Sequence, residues 1–139
     1  MKQYAMGLVL VTMVASVGCQ QPTYTGPSPG LGDPYPAPQN DPQITVLNRE
    51  LQPWLAFQPA RVLRTETETM AVNVPMRNAT DEYYQLDYRF IFLDANGLEL
   101  TPVMGWRHMP VQPRQMVRFD AKSLTADAVD YRLEVKWAK

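Results

Sequence analysis

The chain has 139 residues, with 13 Lys and Arg against 14 Asp and Glu, one histidine and one cysteine. A formal net charge of −1 with no basic stripe or acidic tail argues against electrostatic capture of nucleic acid as a function. A single cysteine excludes a disulfide within the chain, and the length allows one domain of ordinary size.

Lys2 precedes an uncharged, apolar run from Ala5 to Val17, and Gly18 is a small residue directly ahead of Cys19. This order predicts a secretory signal peptide over residues 1–18, too short to span a bilayer permanently. Cys19 then reads as a lipid-attachment residue. Cleavage between Gly18 and Cys19 would free an amine for an N-acyl chain, and the sulfur would carry a diacylglyceryl group. Each buried methylene contributes about 0.8 kcal/mol, and one myristoyl chain is marginal, so two or three chains give a durable anchor. Ser16 stands where lipobox motifs usually carry Leu. An ordinary cleaved signal with a free thiol and an uncleaved anchor therefore stay open as alternatives. Gln20, in place of Asp, follows the cysteine. By resemblance to the enteric sorting rule, that points to the outer membrane with the domain facing the periplasm. No cofactor is expected beyond the covalent acyl chains.

Residues 19–42 form the next unit. Seven prolines and three glycines lie between Gln20 and Pro42, with few large aliphatic side chains. Such a segment cannot build a core. It predicts a disordered tether, partly polyproline II, that at about 3.1 Å per residue would reach roughly 70 Å when fully extended.

From Gln43 to Lys139 the dominant period is two. Tyr84, Leu86, Tyr88, Phe90 and Phe92 alternate with a set that turns from polar to apolar, predicting a long strand whose far end is buried on both faces. Met70, Val72, Val74 and Met76 define a second strand. Val117 and Phe119 mark a third, and Tyr131, Leu133, Val135 and Trp137 a fourth. Ile44 to Leu47 and Ala60 to Arg64 are shorter candidates. Asp94-Ala95-Asn96-Gly97, which separates the long strand from a short one expected at Leu98 to Leu100, and Asn78-Ala79-Thr80-Asp81-Glu82 supply turn chemistry between strands. Pro75 inside a strand pattern predicts an edge strand or a bulge. Helical turns are expected only at Arg49 to Trp54 and Ser123 to Ala128. The architecture predicted is all-β, an immunoglobulin-like antiparallel sandwich of six to eight strands.

Several of these residues, taken in order, carry a resemblance. Asn78, the aromatic strand ending Phe90-Ile91-Phe92-Leu93-Asp94, then Asn96-Gly97, Trp106, Val111-Gln112-Pro113 and Ala128-Val129-Asp130-Tyr131-Arg132-Leu133 resemble the YcfL-like periplasmic lipoproteins. The resemblance covers roughly residues 43–138. It implies a small, lipid-anchored envelope protein of undetermined activity, with some members encoded beside a lipoprotein activator of a peptidoglycan synthase.

Catalytic chemistry finds little material. After the signal there are two serines and one histidine, so a nucleophilic set would have to join Ser123, His108 and Asp120 or Asp127, and no glycine-flanked elbow presents Ser123. A metal site is not expected either. His108 has no second histidine, and Asp94, Asn96 and Glu99 lack the further acids of a calcium loop. Glu66 and Glu68 sit in a threonine-alternating stretch that reads as solvated.

Recognition has better candidates. Met104-Gly105-Trp106-Arg107-His108-Met109-Pro110 combines adaptable apolar surface with an indole, a guanidinium and an imidazole. Two arrangements stand: Trp106 and Met109 in the core, or Trp106 exposed as a contact residue. Tyr83, beside Asp81 and Glu82, is a second candidate contact. The sequence thus reads as a non-catalytic binding module on a membrane anchor, engaging a periplasmic protein or cell-wall partner. The alternative is a small-ligand or glycan receptor with an aromatic platform around Trp106.

Overall fold

A computed structural model describes residues 41–139. The signal peptide, the cleavage pair Gly18 and Cys19, and nearly all of the proline-rich segment lie outside the described residues. Eight strands form two four-stranded sheets: β1 (Ile44–Val46), β2 (Leu55–Phe57), β3 (Arg61–Arg64), β4 (Met70–Asn78), β5 (Tyr84–Leu93), β6 (Arg107–Val111), β7 (Met116–Lys122) and β8 (Asp130–Trp137). The first sheet runs β1-β8-β5-β6. In the second, β4 is central, with β7 on one side and β2 and β3 sharing the other. The result is an all-β sandwich.

Alternation builds the core. Tyr84, Leu86, Tyr88, Phe90 and Phe92 of β5 and Tyr131, Leu133 and Val135 of β8 face Met70, Val72, Val74 and Met76 of β4 and Val117 and Phe119 of β7. The sheets meet where the Tyr88 and Phe119 ring centroids lie 4.8 Å apart. Phe90, Ile91 and Phe92 are consecutively buried, so the end of β5 is covered on both faces, as its sequence predicts.

Four expectations need correction. The sandwich is not wholly antiparallel, because β1 runs parallel to β8. The chain leaves β1 through a 3-10 segment (Arg49–Trp54) into the other sheet, so no hairpin constrains its direction against β8. Pro75 lies in the central strand of its sheet, neither at an edge nor in a bulge. Its carbonyl accepts the Gln58 N–H at 2.9 Å, so its missing donor faces the gap between β2 and β3, away from the unbroken ladder with β7. Ser123 to Ala128 forms no helix. Ser123 Oγ accepts the Met70 N–H at 2.9 Å and donates to the Thr125 carbonyl at 2.8 Å, closing a loop instead. Leu98 to Leu100 is no strand, its pairing reduced to a single bridge from Leu93 to Glu99. The turn before it holds, with Gly97 at φ 77° and Asp94 accepting the Asn96 and Leu98 N–H groups.

At one end of the sandwich a polar network replaces apolar packing. Asn78 is 0% exposed. Its Oδ1 accepts from the Thr80 N–H and hydroxyl, both at 2.9 Å. Its Nδ2 donates to the Glu82 carbonyl at 2.7 Å and the Gln112 carbonyl at 3.1 Å. One amide thereby locks the β4–β5 turn onto the β6–β7 connection.

Tyr131 is the opposite case. It is 2% exposed, and its hydroxyl has no hydrogen-bond partner among the described residues. Burial, followed by the Asp41 and Asp130 carboxylates, pushes its pKa up to about 12 from 10.0. The folded state thus prefers the neutral phenol. The stability tied to that preference is fully present below pH 10 and is lost as pH rises toward 12. Tyr131→Phe is expected to raise stability at neutral pH by about 1 kcal/mol, since an unpaired buried hydroxyl disappears. Thermal unfolding at neutral pH and again near pH 11 checks this; the variant should also lose less stability on going alkaline.

Candidate functional site

The outer face of the β1-β8-β5-β6 sheet carries the residues that sequence reasoning singled out. Odd-numbered positions of β5 point outward, and register places Asp87 between His108 of β6 and Lys136 of β8, and Arg89 beside Glu134. Trp106, one residue before β6, falls opposite Arg89. It is 36% exposed and outside the core. The Arg89 guanidinium lies 4.6 Å from its ring centroid and the Lys136 ammonium 4.1 Å. Each such cation–π contact contributes roughly 0.5–1 kcal/mol at an exposed site, so the two together favour this pose of the indole.

Ion pairs extend from this centre. Arg89 Nε meets Glu134 Oε2 at 2.8 Å, Arg132 Nε reaches Glu134 Oε1 at 3.3 Å, and Arg132 Nη2 meets Glu99 Oε1 at 2.6 Å. The hydrogen bond that Arg132 donates to Glu99 raises the Arg132 pKa still further above its ordinary value. His108 Nδ1 approaches Asp87 Oδ1 at 3.2 Å with half of its side chain exposed. The face is therefore a charge-paired sheet surface with one aromatic side chain set into it.

The candidate residues do not all converge. Strand alternation puts Trp106 and His108 on the outer face and sends Arg107 to the opposite one, with Met109 and Val111. Arg107 stands at the open end of the sandwich beside Met104, where both line cavities. Tyr83 is exposed on the Trp106 side. It precedes Arg89 by six residues, which at about 3.4 Å per residue places it roughly 20 Å away.

The catalytic grouping is not assembled. Ser123 is buried, with its hydroxyl engaged by Met70 and Thr125, while His108 lies on the outer face of the other sheet. Glu99 is engaged by Arg132, and Asp94 by its own turn. Among the described residues no cluster of three or more His, Cys, Asp or Glu could hold a metal ion, and no helix is long and apolar enough to cross a membrane.

Sequence reasoning missed a second feature. A groove of 660 Å³ crosses the outer face of the β4 sheet, lined by Arg61, Arg118 and Lys122 and reached by Arg107 and Met104. These cations are scattered over 62 positions of sequence, from Arg61 to Lys122, and only strand pairing brings them together. The available signal was the pattern Arg118, Asp120, Lys122 on the outward positions of one strand.

Two solved structures share the architecture. Campylobacter jejuni cj0090 superposes with a TM-score of 0.59 at 16% identity, covering 70% of this chain and 100% of that one. A DUF1425 family member from Shewanella sp. pv-4 gives a TM-score of 0.54 at 21% identity, covering 61% of this chain and 79% of that one. At such identities both show the fold alone. No match is found among curated proteins. Residues 42–137 match the family described as a protein of unknown function, DUF1425, and the chain belongs to that family.

Proposed function

We propose that the chain is a YcfL-like envelope lipoprotein that acts by binding, without a catalytic step. In this reading acyl chains on Cys19 hold it at the outer membrane, and the proline-rich tether lets the domain meet a periplasmic protein or a protein of the cell-wall machinery. The recognition surface is the outer face of the β1-β8-β5-β6 sheet, centred on Trp106. One observation carries this. A tryptophan that could have been buried is instead 36% exposed on the outer face of the sheet, with Arg89 and Lys136 over its ring. Tryptophan and arginine dominate the energetic centres of protein interfaces, and a pre-set rotamer lowers the entropy lost on docking. A glycan platform is disfavoured, because Trp106 lines neither the groove nor the neighbouring cavity and its ring already carries two cations.

The test is photo-crosslinking in intact cells with a photoreactive residue at position 108 or, as a control, at exposed position 129. The expected result is a discrete adduct from position 108 that disappears when Cys19→Ala removes the anchor. Equal adducts from both positions would defeat the assignment of the face, and adducts that survive Cys19→Ala would defeat the role of the anchor.

A further inference from the structure

The other sheet carries a site of different chemistry. β4 presents Ala71, Asn73 and Pro75 outward, all short, while its neighbours present long side chains: Arg61 and Leu63 from β3, Arg118 and Lys122 from β7. Adjacent strands lie about 4.8 Å apart, so the two flanking rows stand roughly 10 Å from each other across a low floor. That difference in side-chain length makes the 660 Å³ groove. Met104 and Arg107 close one end of it, and beyond them lies a second cavity of 250 Å³ with Phe90 and Phe92 among its walls. Residues 100–104 and 122–125 enclose this cavity, and Met104, Arg107 and Lys122 line both spaces.

Charge in the groove runs against the balance of the whole chain. Arg61, Arg107, Arg118 and Lys122 face one carboxylate, Asp120, which accepts a hydrogen bond from Asn73 Nδ2. Among the described residues none of the four cations takes part in an ion pair, whereas the arginines of the opposite face, Arg89 and Arg132, are paired. Four cations against one carboxylate, meeting an apolar cavity at Arg107 and Lys122, define a ligand with two ends. The cavity alone is smaller than a typical small-molecule site of about 300–1,000 Å³, so it suits the apolar end of a ligand and not the whole. A nucleic acid strand would need exposed aromatic rings for stacking along the groove, and the lining contains none.

We infer that groove and cavity together bind an amphiphilic anion, a phosphate-bearing headgroup held by Arg107 and Lys122, which line both spaces, with a short apolar chain seated among Leu100, Val103 and Leu124. The groove lies on the opposite sheet from Trp106, and the site stands or falls independently of the partner surface. It also gives a membrane-anchored domain a reason to sample lipid.

The test is calorimetric titration of the full acylated protein in nonionic detergent with three probes: dioctanoyl phosphatidic acid, dioctanoylglycerol and inorganic phosphate. Saturable one-to-one binding of the phosphatidic acid is expected, at least tenfold tighter than either other probe and weakened by added salt. The surface double variant Arg107→Ala/Lys122→Ala should lose at least tenfold in affinity while its unfolding temperature stays close to that of the parent, and Arg49→Ala should bind as the parent does. Phosphatidic acid and dioctanoylglycerol binding alike, inorganic phosphate matching the lipid, an unaffected double variant, or no saturable binding would each overturn the inference.

Discussion

Asn78→Asp is expected to be among the most destabilising single-atom changes in this domain. The substitution keeps Oδ1, which accepts from Thr80, and replaces the amide nitrogen with an oxygen that faces the carbonyls of Glu82 and Gln112. Two donor contacts become two repulsive ones at a position with no access to water. A buried polar group left unsatisfied costs about 1–3 kcal/mol, and two carbonyls are affected, so a loss of roughly 3 kcal/mol or more follows. Domains of this size lose about 4–8 °C per kcal/mol, which gives a fall of roughly 12–24 °C in Tm. The effect should ease in acid, because burial raises the pKa of the introduced carboxyl and its protonated form can donate one hydrogen bond again. Differential scanning calorimetry of parent and variant at neutral pH and near pH 5 measures both parts. A variant within about 1 kcal/mol of the parent would mean that the turn, not the amide network, holds this end together.

The sequence made some of this legible. Turn chemistry at Asn78 could be read from Asn-Ala-Thr-Asp-Glu, whereas the bond to Gln112, 34 residues away, could not. The strands whose sequences run largely in period two, β4, β5, β7 and β8, were legible because one face of each meets a core of large side chains. β2 was not, since Leu55, Ala56 and Phe57 are all buried and three consecutive apolar residues have no period. β6 was also hidden. It is an edge strand with Pro110 and three exposed positions, so little burial is written into it. Reading β6 as a cluster placed Trp106, Arg107 and His108 together, when its extended backbone divides them between two faces. Pro75 misled for a similar reason. The penalty for a missing donor depends on which side the N–H would point, and that is fixed by the break between β2 and β3, a tertiary fact. The exposure of Trp106 depends likewise on Arg89 and Lys136, 17 and 30 residues away along the chain.

Trp106→Ala carries the second large expectation, this one in binding. A tryptophan at the centre of an interface typically costs at least 2 kcal/mol on truncation, which is about 30-fold in Kd. The fold should barely notice. The side chain lies outside the core, and its removal forfeits two exposed cation–π contacts, about 1–2 kcal/mol in sum. Arg89 would keep its pairing with Glu134, so the surrounding face should persist. A loss of affinity well beyond the loss of stability therefore separates a contact role from a structural one.

The decisive measurement is the Kd of the crosslinked partner for parent and Trp106→Ala proteins, both acylated, taken together with their unfolding temperatures. The account predicts at least a 30-fold weaker complex with a Tm lowered by no more than about 16 °C. An unchanged Kd, or a weakened complex explained by a collapsed Tm, would contradict it.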